Sequence, residues 1–89
     1  MLHLYVVWFQ DDLLPEDDQD YEWVACMLID ADSKEKALQW GDHLSRGYVK
    51  NNNLIILKSY LDEYINNEKN NQLPLIKYGK SYTDDYIGW

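Results

Sequence analysis

The densest chemistry in this sequence is a run of carboxylates. Seven acids fall between Gln10 and Glu22, namely Asp11, Asp12, Glu16, Asp17, Asp18, Asp20 and Glu22, with no Lys or Arg among them. Oxygens so closely spaced could gather around a hard cation such as Ca²⁺. The run lacks, however, the Asp-x-Asp-x-Asp-Gly spacing and the distal Glu of an EF-hand loop. A solvated acidic loop, or a surface that recognises a cationic protein, fits the same residues without a metal.

The remaining reactive side chains are sparse. His3 and His43 are the only histidines and Cys26 the only thiol, and two histidines without a supporting Cys or carboxylate spacing do not make a zinc site. No local signature of a nucleophile surrounds Cys26, which is expected to be a structural thiol inside an apolar run. Carboxylates pair at Asp30/Asp32 and Asp84/Asp85. The first pair is expected to serve a strand-to-helix turn, with Asp32 as the helix cap. The second sits in a tail where nothing obvious would raise a pKa for acid catalysis. With four glycines in all, no phosphate-cradling loop can be assembled. No enzyme activity and no cofactor are therefore expected.

Aromatic residues crowd the end of the chain: Tyr60, Tyr64, Tyr78, Tyr82, Tyr86 and Trp89. Such side chains extend small cores, and they also dominate interface hot spots because they are large, stiff and amphipathic. Taken with the loop, they suggest a recognition surface made of Asp11, Asp12, Glu16, Asp17, Asp18 and Asp20 together with Tyr82, Asp84, Asp85, Tyr86 and Trp89. The leading expectation is a small acidic protein-binding domain of the inhibitor or immunity type, blocking a cationic partner. The alternative is a self-associating domain, a homodimer whose two-sided apolar sheet is covered by a second copy.

Composition sets the bounds on these readings. Eighty-nine residues make a single domain, 1–89, and 46% hydrophobic with 15% aromatic residues is enough to fold it. The formal charge is -8, and residues 1–32 hold nine acids with no Lys or Arg, so the imbalance lies wholly in the first third. Nucleic acid and anionic membrane surfaces are poor partners for such a chain. A lone cysteine makes no intramolecular disulfide, which points to a reducing compartment. With no basic leader and no apolar stretch long enough to span a bilayer, a cytoplasmic, whole chain is expected.

The elements that must position these residues follow from periodicity. Residues 2–9 are apolar on both alternating faces, as in a central strand. After the acidic loop, Tyr21, Trp23, Ala25, Met27 and Ile29 form one face of a second strand and a core candidate. Asp32-Ser33-Lys34-Glu35 predicts a helix start by a capping box. Ala37, Trp40, Gly41, Leu44 and Tyr48 supply the apolar stripe, with Trp40 expected to be largely buried. Asp42 and Arg46 are spaced to pair, and Gly47 is a plausible stop. Leu54 to Leu61 fits a helix through Leu54, Leu57, Leu61 and Tyr64, or a buried strand, and is read as a third strand. Leu73 to Tyr78 is expected to be a short edge strand, because Pro74 lacks the N–H that a central ladder requires. The order β-β-α-β-(β) implies an α+β fold, one amphipathic helix packed on a small mixed or antiparallel sheet.

Overall fold

The computed structural model describes residues 1–62 and 72–89. It is an α+β fold with strands β1 (Leu2–Gln10), β2 (Glu22–Asp30), β3 (Ile55–Asp62) and β4 (Leu75–Lys77), a long helix α1 (Lys34–Asn52) and a single-turn helix α2 (Asp84–Ile87). The sheet order is β3-β1-β2-β4. β1 pairs antiparallel with β2 and with β3, whereas β4 lies parallel to β2, so the sheet is mixed. No described helix is long and apolar enough to cross a membrane.

The alternation read from the sequence determines which face meets the helix. Tyr5, Val7 and Phe9 of β1, Met27 and Ile29 of β2 and Ile76 of β4 are fully buried beneath α1, and Ala25 and Ile87 join them. Leu4 and Val6 point to the second face and are also buried, but Val24, Tyr60 and Leu75 on that face are exposed. Helix and sheet touch most closely through small residues. Ala37, Gly41 and Ser45 form the buried line of α1, while Trp40, Leu44 and Tyr48 flank it half-buried.

Four local expectations need correction. Ser33, not Asp32, caps α1: its backbone is extended and its hydroxyl accepts from the Lys36 N–H at 3.2 Å. Asp32 instead places its carboxylate 3.9 Å from the Lys36 ammonium, and with the cap one residue later Glu35 is no longer at the capping-box position. Gly47 does not stop the helix, because Tyr48 and Val49 continue to pack on the core and that contact outweighs a propensity penalty of about 1 kcal/mol. The helix ends at Asn53, in the left-handed region at φ 54, whose N–H returns to the Val49 carbonyl. Asp42 faces inward rather than toward Arg46, receiving hydrogen bonds from Tyr5 at 2.8 Å and Ser59 at 2.6 Å. Trp40 is only half-buried, stacked on His43 and packed against Tyr78, with its indole N–H on the Lys80 carbonyl.

Residues 55–62 form the third strand expected over 54–61, but at the sheet edge rather than buried. Among the described residues β3 pairs only with β1, with a bulge where Trp8 and Phe9 meet Lys58 and Ile56, and Ile55, Leu57 and Tyr60 are exposed. Tyr64 and the Asn66–Asn71 stretch lie outside the described residues.

Candidate functional site

The acidic segment joins β1 to β2 at one end of the sheet. Its base closes through the Asp11 N–H on the Tyr21 carbonyl at 2.9 Å. Successive tight turns follow, with bonds from Asp18 to Pro15 and from Tyr21 to Asp18. Two carboxylates serve the loop itself: Asp11 accepts from the Leu13 N–H and Asp18 from the Asp20 N–H, the local turns that favour Asp at these positions. Asp12 accepts from the Gln10 side-chain amide. Asp12, Glu16, Asp17 and Asp20 are exposed. Among the described residues the ion pairs are Met1 amine to Asp30 and Lys36 to Asp32, both at the opposite end of the hairpin, so no cation neutralises the loop. Desolvation, followed by the fields of Glu16, Asp12 and Glu22, pushes the Tyr21 phenol upward. Tyr21 and Glu22 line a shallow depression together with Glu16, Asp18 and Gln19.

The tail folds back toward this end. Thr83 caps α2 by accepting from the Tyr86 N–H, and Gly88 closes it with φ 75. Ile87 is thereby delivered to the core, and Trp89 stacks on Tyr48 at 4.9 Å and meets Phe9 edge-on at 5.5 Å. Phe9 and Trp23 adjoin the loop, so the indole of Trp89, whose N–H bonds Asp84 at 3.0 Å, brings that carboxylate to the acidic end. Asp84 adds to the rise that burial imposes on the Tyr48 phenol. Asp85 is exposed in the same turn.

Tyr82 and Tyr86 occupy a different position, on the outer edge of β4. The Tyr86 hydroxyl donates to the Leu75 carbonyl at 2.9 Å, and the Tyr82 hydroxyl accepts from the Lys77 N–H at 3.2 Å. Their rings stack at 4.9 Å. These two side chains satisfy the polar groups that a terminal strand leaves open. Asp84 and Trp89 thus lie toward the loop end of the sheet through Phe9 and Tyr48, while the Tyr82 and Tyr86 hydroxyls bond the β4 edge.

The other reactive groups do not converge. Cys26 is half-buried on the second face, and burial followed by the Asp62 carboxylate pushes its thiol upward, away from the thiolate that nucleophilic or metal chemistry requires. His3 is buried on the helix-bearing face with Nε2 unpartnered, and His43 is exposed on α1, so neither shares the face of Cys26. Among the described residues no group of three or more metal-ligating side chains forms. No family model matches the chain, and no curated protein or solved structure is significantly similar to it.

Sequence reasoning missed the incompleteness of the β2 edge. β4 pairs only with Leu28, Ile29 and Asp30, leaving the first six residues of the nine-residue β2 without a described neighbour on that side. The signal was the contrast between a long second strand and an apolar run cut short by Pro74.

Proposed function

We propose that this chain is a small protein-binding domain whose acidic end receives a cationic protein. The observation that supports this reading is the absence of any described counter-ion for the loop carboxylates, at the end of the sheet where Trp89 and the Asp84 it bonds pack on Phe9 and Tyr48. Unneutralised like charges raise the energy of the free domain, and a basic partner relieves that cost while being steered in by the same field. An inhibitor or immunity-type role suits such a surface, since a cationic enzyme could be covered without chemistry on this chain. A cytoplasmic site of action suits a single thiol held away from reactivity.

Titration with an oligolysine peptide, read through backbone amide shifts at about 10 mM salt, tests the reading where screening is weak. The expected shifts cluster at residues 11–22 and 84–89. Shifts spread evenly over all surface acids, or none at all, would contradict it. Self-association is the second reading, favoured by the exposed Val24, Tyr60 and Leu75 on a sheet face that no described helix covers. A concentration-dependent sedimentation coefficient would support it.

A further inference from the structure

Hydrogen bonding fixes which groups of β2 look outward. Leu28 donates to the Pro74 carbonyl and Asp30 accepts from the Tyr78 N–H, both toward β4. By the two-residue repeat of a strand, the N–H and C=O of Glu22, Val24 and Cys26 face the same way, beyond the point where β4 begins. No described strand pairs with them. Beside them runs an open groove of about 740 Å³, lined among others by Val24, Cys26, Leu75, Tyr86 and Ile87.

The two edges of the sheet and the two halves of this one are treated differently. β4 has its outer Leu75 carbonyl and Lys77 N–H occupied by Tyr86 and Tyr82. β3 carries a bulge and Lys58, devices that discourage pairing. Among the described residues the open half of β2 has neither, and it ends at Glu22 beside the acidic loop, with Tyr86, Ile87 and Gly88 at the end of α2 lining the groove. Apolar walls, free backbone groups and acids at one end are complementary to an extended chain bearing β-branched and basic residues.

We propose that the β2 edge from Glu22 to Cys26 receives an extended basic segment of the partner by strand addition. This rests on the reading of the acidic end as a cation-binding surface and adds the mode of recognition. Main-chain bonds to Val24 and Cys26 hold the segment, its apolar side chains enter the groove, and its lysines or arginines meet Glu22 and the loop.

The probe is the peptide Lys-Lys-Val-Thr-Val-Thr-Val-Lys-Lys, basic at both ends so that neither strand direction is presupposed. Its binding is followed by amide hydrogen exchange at about 10 mM salt. The expected result is slowed exchange at the Val24 and Cys26 amides. Val24→Pro, which removes an outward N–H without touching the β1 ladder, should weaken binding about tenfold, as should N-methylation of alternate peptide amides, the loss expected for one or two net hydrogen bonds. The methylated peptide keeps the test decisive if the proline variant does not fold. Binding that leaves both amides exchanging freely and tolerates N-methylation overturns strand addition and leaves the acidic end standing. A silent probe overturns strand addition alone if oligolysine still shifts the loop amides, and both readings if oligolysine is silent too.

Discussion

A Cβ placed on Gly41 would stand 2.4 Å from the ring of Tyr5. The helix therefore rests on the sheet through the missing side chain, and the ring cannot swing aside: its hydroxyl donates to Asp42 at 2.8 Å and lies 3.0 Å from the Ser45 hydroxyl. Gly41→Ala gains about 1 kcal/mol of helix propensity but must separate two packed elements, an overpacking penalty of about 1–3 kcal/mol or more. The net effect should be a lower melting temperature by circular dichroism, by several degrees at roughly 4–8 °C per kcal/mol for a domain of this size. An unchanged or higher value would show that the contact relaxes without cost.

The same contact makes stability sensitive to alkali. Burial, with the Asp42 carboxylate adding to it and Ser45 partly opposing, pushes the Tyr5 phenol far above the ordinary value of 10.0. The folded state then holds a proton that the unfolded chain releases, so the contribution is complete below that ordinary value and is lost as pH rises beyond it. Tyr5→Phe should cost about 1–2 kcal/mol at neutral pH through the lost bond to a carboxylate. It should also flatten the decline in stability above pH 10 relative to wild type, measured by urea unfolding at a series of pH values. Parallel declines in the two proteins would remove Tyr5 from the explanation.

Trp40 is a flanking contact. Its substitution by Ala should cost roughly 1.5–3 kcal/mol, less than the 3–5 kcal/mol typical of a fully buried tryptophan, and the variant should remain folded at room temperature. Complete unfolding would mean that its contacts with Tyr78, His43 and Lys80 carry more of the fold than half-burial implies.

Much of the architecture was legible because periodicity is local. The two-residue alternation of β1 and β2 and the restriction imposed by Pro74 appear in the structure as read, and the helix stripe does so in part: Ala37 and Gly41 are buried, but the third buried position is Ser45, while Trp40, Leu44 and Tyr48 only flank the line. What escaped depends on contacts between distant residues. Asp42 is spaced for Arg46, yet Tyr5 and Ser59 claim it from the sheet, and no spacing along the helix encodes that. Asp32 and Ser33 are both good caps, and one hydroxyl bond to Lys36 decides between them. Trp89 and Asp84 reach the acidic end only because α2 turns the tail back onto Phe9 and Tyr48. Tyr82 and Tyr86 bond the β4 edge through their hydroxyls, a contact that no spacing along the tail encodes.

Electrostatic steering by the acidic loop is the central claim, and its most direct test is an association rate. Asp17→Asn, Asp18→Asn and Asp20→Asn combined should leave the fold intact or slightly more stable, since mutual repulsion falls. Stopped-flow mixing with fluorescent oligolysine should then show slower association than wild type. The difference should be largest at about 0.01 M salt, where the Debye length is about 30 Å, and should shrink at about 0.1 M, where it is about 10 Å. An association rate unchanged by the three substitutions at low salt would contradict the account and leave the loop a solvated connection between β1 and β2.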